Sequence, residues 1–295
     1  MIDFTVFSRD RIDQLRITLR TLYNKIEGSD CRIVVSLNDY SVEDCNDLKI
    51  EFEKIVFVET SGASHDENMR NAIASGDKEY FWILSDDDDY EHVDLTEVLR
   101  LLQRSKPDYL FVNYTTISDG RTRRSRFKPY LFGNLNKMRF AYSLCSANIV
   151  NRKSWNQHTQ EQFFNTNFWH LHTISNIISA PNSLALSTSS PMIKNIGPSI
   201  SESRSEHGFE FYAKAWKASI QIAQSLDCSQ LTRLHLMSIC LITVHWNLYT
   251  EQNQRSKLIL LKNILEILSF KEKLFFYLLY IRRLGWNITK KLKRH

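Results

Sequence analysis

Residues 80–89 read Tyr80-Phe81-Trp82-Ile83-Leu84-Ser85-Asp86-Asp87-Asp88-Asp89, so an apolar run leads directly into four carboxylates. A short apolar run of this kind is typical of a strand that is buried on both faces. Side chains alternate along an extended backbone, so Asp86 and Asp88 can point to the same side. The sequence therefore predicts a central β-strand that ends in an acidic site.

Strands and helices alternate on both sides of this run. We predict strands at 2–7, 32–37, 55–58, 80–85 and 108–114. Apolar spacing predicts a first helix capped by Asp10 and another around 95–102, and Ser64 and Glu67 have the spacing of a capping box that opens a helix through about Ser75. The alternation implies an α/β fold with a mostly parallel sheet, whose ligands bind beyond the carboxyl ends of the strands.

The alternation stops in the second half of the chain. A strand is predicted within 140–150, a helix at 167–179 and a Ser-, Pro- and Asn-rich loop at 180–201, and the pattern is helical from residue 209. We therefore expect an α/β domain at 1–205 and a helical region at 206–295.

The composition is that of an ordinary globular protein. The chain has 295 residues, of which 43% are hydrophobic and 24% charged, and this excludes disordered and collagen-like classes. The five cysteines form no Cys-x-x-Cys pair and no secretory leader opens the sequence, which favours a reduced, cytosolic compartment. No apolar stretch reaches the roughly 20 residues that span a bilayer.

Positive charge is concentrated in two segments. The net charge is +5, and residues 271–295 hold eight Lys and Arg side chains against one Glu, while residues 121–128 hold five. Apolar residues recur at helical spacing from Leu274 to Ile288, with Trp286 among them. We expect this tail to lie as a basic amphipathic helix on an anionic membrane surface. The alternative is that its apolar stripe packs on the rest of the protein.

The four adjacent carboxylates repel one another unless a cation neutralises them. Their hard oxygen ligands suit Mn²⁺ or Mg²⁺, which commonly joins protein carboxylates to substrate phosphates. The alternative is a solvated acidic turn before the helix near Leu95. The sequence has no G-x-x-x-x-G-K-[ST], no G-x-G-x-x-G and no G-x-S-x-G motif, which argues against P-loop, dinucleotide-binding and α/β-hydrolase proteins.

Four segments together resemble the family 2 glycosyltransferases of the GT-A fold. They are Ser8-Arg9-Asp10-Arg11, Asn38-Asp39-Tyr40-Ser41, Gly62 followed by Asn68, and Asp86-Asp87-Asp88. Within that family the chain is similar to bacterial enzymes of O-antigen or capsule assembly, including abequosyltransferase-like ones. The resemblance implies a nucleotide-sugar donor, a Mn²⁺ or Mg²⁺ ion, and inversion at the anomeric carbon. It also implies a glycan acceptor, which we expect to be lipid-linked, and a cytoplasmic protein held peripherally on the inner face of the cell membrane.

The resemblance further implies roles for individual residues. Those expected at the nucleotide-sugar site are Phe7, Ser8, Arg11, Asn38, Asp39, Asp66, Asn68, Arg70, Asp86, Asp87 and Arg204. Asp86 and Asp88 would hold the metal. For Asp66, Asn68 and Arg70, helix capping with an Asp66–Arg70 pair one turn apart is an equal alternative.

The general base that activates the acceptor hydroxyl is expected among Asp119, Glu161 and His170, with Glu161 slightly favoured by residue type. The Glu-Asp pair typical of the family is missing between residues 120 and 200. Cys145, which precedes this region, is expected to be an inert buried thiol.

Two other functions stay open. One is a nucleic-acid-binding protein that uses the basic clusters, which the near-neutral body disfavours, and the other is an inactive glycosyltransferase-like scaffold.

Overall fold

The structure, a computed structural model, describes residues 1–118, 121–124, 144–167 and 169–195, with scattered positions between 217 and 273. The chain divides into two compact units, Met1–Ser199 and Ile200–His295, and nearly all of the described residues lie in the first. The predicted boundary at 205/206 stays a prediction. Asp119, Arg204 and the basic tail beyond Lys273 lie outside the described residues.

A seven-stranded sheet forms the centre of the first unit. Its strands are β1 (Ile2–Arg9), β2 (Cys31–Asn38), β3 (Val56–Thr60), β4 (Tyr80–Ser85), β6 (Tyr109–Phe111), β9 (Asn148–Asn151) and β10 (Ala185–Ser187). Their order across the sheet is β10-β6-β9-β4-β1-β2-β3. The strands from β4 to β3 are parallel neighbours, whereas β9 runs antiparallel to both β4 and β6.

Helices connect these strands. They are α1 (Ile12–Ile26), α2 (Val42–Glu51), α3 (His65–Ala74), α4 (Leu95–Ser105), α5 (Arg152–His158) and α6 (Trp169–Ser179), and single 3₁₀ turns form at Cys145–Ala147 and Glu161–Phe163. The prediction of an α/β fold with a mostly parallel sheet is confirmed. No helix among the described residues is long and apolar enough to cross a membrane.

The apolar run at 80–84 is a central strand, as predicted, and is buried throughout. Trp82 is its largest side chain. The Trp82 ring packs on Phe4 with 5.4 Å between ring centroids, and its indole Nε1 donates to the carbonyl oxygen of Ser146 at 2.7 Å. The polar atom of a buried tryptophan is thereby satisfied, and β4 is tied to the segment before β9.

A second, four-stranded sheet begins where β4 ends. It contains β5 (Asp88–Asp89), β7 (Tyr114–Ser118), β8 (Arg121–Arg124) and β11 (Ile193–Asn195), in the order β5-β11-β7-β8. Only Asp86 and Asp87 separate β4 from β5. The acidic run therefore passes from the large sheet into the small one.

Three local predictions were wrong. Asp10 does not cap α1: it has a left-handed backbone with φ 48°, and Arg11 occupies the cap position without a side-chain hydrogen bond. The single strand predicted at 108–114 is two strands, β6 and β7, which belong to different sheets. The predicted loop at 180–201 contains β10 and β11, because both find partners in β6 and β7.

Candidate functional site

The carboxyl ends of β1, β2 and β4 meet at one edge of the large sheet. In the parallel register, Phe7 lies beside Ser85 and Ser8 beside Leu37. The residues that follow these positions therefore project from the same edge, where ligands of open α/β sheets bind. This edge brings together the predicted site residues Ser8, Arg11, Asn38 and Asp86.

Asp86 is fully buried at this edge. Its carboxylate accepts a hydrogen bond from the hydroxyl of Ser8 and forms an ion pair with the guanidinium of Arg11. Its backbone oxygen accepts from the hydroxyl of Thr18 on α1 at 2.9 Å. Burial raises the pKa of the Asp86 carboxyl to about 6, although Arg11 and Ser8 act in the opposite direction. Asp86 is thus a charged group that the protein holds in place at an energetic cost.

Arg11 joins two of the carboxylates. Its Nη1 lies 3.3 Å from Oδ2 of Asp87, while its other terminal nitrogen contacts Asp86. Asp87 is partly exposed and also accepts a hydrogen bond from the Ser85 hydroxyl at 2.5 Å. The guanidinium therefore provides positive charge at the start of the acidic run.

Tyr40 also belongs to this cluster, although no role was predicted for it. Its hydroxyl lies 2.5 Å from the hydroxyl of Ser8 and accepts a hydrogen bond from the backbone N–H of Arg11 at 3.1 Å. Burial raises the pKa of the Tyr40 phenol, so the group is neutral near pH 7. Its position directly after Asn38 and Asp39, in the turn that follows β2, was the available signal.

Asn38 and Asp39 hold the loop between β3 and α3. The amide of Asn38 makes two hydrogen bonds to the backbone of Ala63, at 2.8 and 3.1 Å. Asp39 accepts from the backbone N–H of Gly62 at 2.6 Å and pairs with Arg9 at 2.9 Å. Both residues lie at the predicted edge, and their contact with a nucleotide stays a prediction.

The start of α3 lies against the same edge. The predicted capping box between Ser64 and Glu67 is present. Asn68 donates to the backbone oxygen of Ser8 at 3.0 Å, and its own amide oxygen is buried without a hydrogen-bond partner among the described residues. Asp66 is fully buried and accepts from the backbone N–H of Asn167 at 2.9 Å. Asn68 therefore keeps an acceptor that a ligand hydroxyl could satisfy.

Arg70 and Glu161 pair with each other. The Arg70 guanidinium forms an ion pair with the Glu161 carboxylate and lies over the Phe164 ring, 3.5 Å from its centroid. The alternative pair between Arg70 and Asp66 does not form. Glu161 is 69% exposed, so the base favoured by residue type already has a partner and faces water.

His170 and Cys145 lie near the acidic run. Nε2 of buried His170 is 3.7 Å from Sγ of Cys145. Burial raises the pKa of the Cys145 thiol, and the negative charges of Asp88, Asp66 and Asp87 raise it further. The thiol is therefore neutral, as expected for an inert cysteine.

His172, two residues along α6, has a different environment. Its ring packs on Phe163 with 4.1 Å between ring centroids, and burial lowers the pKa of its imidazole to about 4. It is a neutral core residue near pH 7. Of the two histidines on α6, His170 is the one that contacts Cys145.

The carboxylates suit a cation only if the substrate supplies further ligands. Asp86 and Asp88 are buried hard-oxygen donors, and Asp87 is partly open to solvent. Among the described residues, no group of three or more His, Cys, Asp or Glu side chains is arranged to hold an ion. Mg²⁺ and similar ions often bind through one or two carboxylates with substrate phosphates and water. The donor set fits a bridging ion of this type.

Neither a protein-family model nor a curated protein sequence matches the chain. Solved structures of TarS from S. aureus do resemble it. TarS 1–349 gives a TM-score of 0.66 at 10% identity over 89% of this chain and 78% of TarS 1–349. Its complex with UDP-GlcNAc gives 0.65 at 11% identity over 89% and 79%, and its complex with UDP gives 0.61 at 10% identity over 92% and 76%. At such low identity the likeness shows the fold, which is that of the GT-A glycosyltransferases.

Proposed function

We propose that the protein is a nucleotide-sugar-dependent glycosyltransferase of bacterial surface-polysaccharide synthesis, such as O-antigen or capsule assembly. The observation that carries the proposal is the placement of Asp86. It is buried at the carboxyl end of β4 and bonded to Ser8 and Arg11 at the end of β1, in a GT-A fold. This is the edge at which a ligand of such a sheet binds.

The proposed donor is a sugar joined to a nucleoside diphosphate. The solved TarS structures include complexes with UDP-GlcNAc and with UDP, so UDP is the first nucleotide to test here. In this chain Ser8, Tyr40 and Asn68 offer neutral hydrogen-bonding groups at the sheet edge, and Arg11 offers a cation suited to phosphate. The identity of the sugar is left to a donor screen.

The proposed cofactor is Mn²⁺ or Mg²⁺, held by Asp86 and Asp88. A bound ion would neutralise the charge that develops on the leaving diphosphate. The protein's own part is to keep both carboxylates buried and in fixed positions, since Asp86 is tethered by Ser8 and Asp88 lies in β5. The partly exposed carboxylate of Asp87 is the one in contact with solvent at this end of the acidic run.

Among the candidate bases, we propose His170 for the acceptor hydroxyl. Glu161 is exposed, and its carboxylate is paired with the guanidinium of Arg70, which makes it a weaker base. His170 is buried beside Cys145, whose thiol lies in the field of the acidic run. An imidazole at this place could accept the proton as the acceptor attacks the anomeric carbon, which leads to inversion.

The acceptor is proposed to be a glycan carried on a lipid at the cytoplasmic face of the membrane. The basic tail at 271–295 would bring the enzyme to that surface, where anionic headgroups attract Lys and Arg. The protein would then be cytoplasmic and peripheral on the inner face of the cell membrane, without nucleic acid as a partner.

A calorimetric titration of the full chain with UDP, done in the presence and in the absence of Mn²⁺, tests this function. We expect micromolar to millimolar binding that strengthens with Mn²⁺, and hydrolysis or transfer of one sugar from a panel of UDP-sugars. Binding without any turnover would instead support an inactive scaffold. Absence of binding to UDP, and to the other nucleoside diphosphates titrated in the same way, would contradict the proposal.

A further inference from the structure

The guanidinium of Arg11 lies where a cation would meet the acidic run. One terminal nitrogen is paired with Asp86 and the other lies 3.3 Å from Asp87. A metal held by Asp86 needs the same buried carboxylate. Both oxygens of Asp86 already have partners, since Oδ1 is paired with Arg11 and Oδ2 accepts from Ser8, so an ion that binds this carboxylate directly competes with Arg11 for it.

Arg11 cannot yield this place by losing its proton. An arginine side chain stays charged at any ordinary pH. Because Asp86 is buried, its charged carboxylate is energetically costly when no positive partner lies beside it. The charged side chain of Arg11 must therefore move away from Asp86 as the other cation binds.

The chain around Arg11 allows such a movement of the side chain alone. The backbone is fixed on both sides, because the N–H of Arg11 donates to the Tyr40 hydroxyl at 3.1 Å and its carbonyl accepts from Leu15 at 2.9 Å. The side chain is 46% exposed, so the guanidinium has solvent beside it. A long side chain with one open flank can change rotamer without any change in the fold.

We propose that Arg11 is an internal counter-ion that occupies the carboxylates of the acidic run until a divalent cation and a nucleoside diphosphate arrive together. The inference rests on the proposed function, which supplies both ligands. The diphosphate offers Arg11 a new anionic partner as the metal takes the carboxylates. Metal alone must displace Arg11 with no such compensation. Metal and nucleotide therefore bind cooperatively, and the site stays closed to free divalent ions.

The test measures Mn²⁺ binding to the full chain without nucleotide, from the electron paramagnetic resonance signal of free Mn²⁺. The variant is Arg11→Gln, and the matched control is Arg9→Gln. Arg9 carries the same charge two residues away, but it pairs with Asp39 rather than with the acidic run. Loss of a charge-assisted competitor should tighten Mn²⁺ binding by about tenfold in Arg11→Gln relative to the control.

The same titration is then repeated with saturating UDP. The difference between Arg11→Gln and the control should shrink, because in the ternary complex Arg11 has already left the carboxylates. Circular dichroism and a thermal melt establish that both variants are folded.

Equal Mn²⁺ affinity of Arg11→Gln and Arg9→Gln would overturn the proposal, as would weaker binding in Arg11→Gln. Absence of Mn²⁺ binding by every variant, with or without UDP, would overturn it as well. UDP binding that needs no Mn²⁺ would in that case leave the glycosyltransferase proposal standing, so the two failures are distinguishable.

Discussion

The hydroxyl of Ser8 donates a hydrogen bond to the carboxylate of Asp86 across 78 positions of sequence. Ser8 lies near the end of β1 and Asp86 follows β4, and these strands are parallel neighbours in the sheet. The sheet, rather than local sequence, therefore brings the two side chains together. Asn68 donates to the backbone oxygen of the same serine, so α3 is fixed at this point too.

Asp88→Asn should abolish the Mn²⁺-dependent part of UDP binding while the protein stays folded. Asparagine keeps the shape of the buried side chain but removes the charge that attracts the cation, so we expect at least a tenfold loss, on the scale of lost metal-site groups. Calorimetric titration with and without Mn²⁺ measures it. Asp89→Asn is the control, because Asp89 accepts a hydrogen bond from the backbone of Glu91 at 2.8 Å. Unchanged Mn²⁺ dependence in Asp88→Asn would exclude Asp88 as a ligand of the metal.

His170→Gln should lower turnover by about 10² or more, the usual scale for loss of a general base. The binding of UDP should change little, because the base acts on the acceptor. Glu161→Gln is the comparison and should retain most of the turnover, since Glu161 is exposed and paired with Arg70. Turnover assays with the best donor from the screen measure both. A large loss of turnover in Glu161→Gln alone would identify Glu161 as the base. Normal turnover in both variants would point to Asp119.

The central strand and its acidic end were predictable because their signals are local. An apolar run from Tyr80 to Leu84 has no place in this fold except the middle of the sheet, and the carboxylates follow within the same ten residues. The capping box at Ser64 and Glu67 is local as well, since both hydrogen bonds form within one helical turn.

Features that depend on distant partners were not predictable. The strands β10 and β11 have three residues each, and they exist only because β6 and β7 offer them hydrogen bonds. Glu161 looked suitable as a base by residue type, but Arg70, which lies 91 positions away, pairs with it. Tyr40 follows Asn38 and Asp39 in the turn after β2, which hints at a place in the site, but its contacts with Ser8 and Arg11 depend on the neighbouring strand β1.

The basic tail should bind anionic vesicles. Each Lys or Arg near an anionic surface contributes about 1 kcal/mol, so replacement of Lys290, Lys291, Lys293 and Arg294 by Gln should strongly reduce co-sedimentation at low salt. The matched control removes four charges from the other basic segment, by the same replacement of Arg121, Arg123, Arg124 and Lys128. The unaltered chain should pellet less at high salt. Equal recovery of the two variants in the pellet would refute a specific role of the tail.

Asp3→Ala should strongly destabilise the protein. Asp3 is buried in β1, and its carboxylate accepts from Nε of Arg32 at 3.0 Å, Nη2 of Arg152 at 2.9 Å and the backbone N–H of Lys78 at 2.9 Å. Removal of one partner of a buried ion pair costs about 3–5 kcal/mol, because the other charges lose their compensation. Urea unfolding measures it. Asp77→Ala, which removes an exposed partner of Arg32, should cost much less. Similar losses in the two variants would contradict the central role of Asp3.

His172 should make the stability of the protein fall on acidification. Burial lowers the pKa of its imidazole from 6.5 to about 4, so between these values the unfolded chain takes up a proton that the folded protein excludes. The contribution of His172 to the free energy of unfolding is therefore complete above about pH 6.5. It is lost as pH falls towards 4, by about 2 kcal/mol at pH 5.

His172→Phe keeps an aromatic ring against Phe163 and removes the titration. Urea unfolding at pH 7 and pH 5 should show a smaller loss in His172→Phe than in the unaltered protein. His92→Asn, a change at an exposed histidine, should keep the full loss. An identical pH dependence in all three proteins would mean that His172 is not excluded from protonation in the folded state.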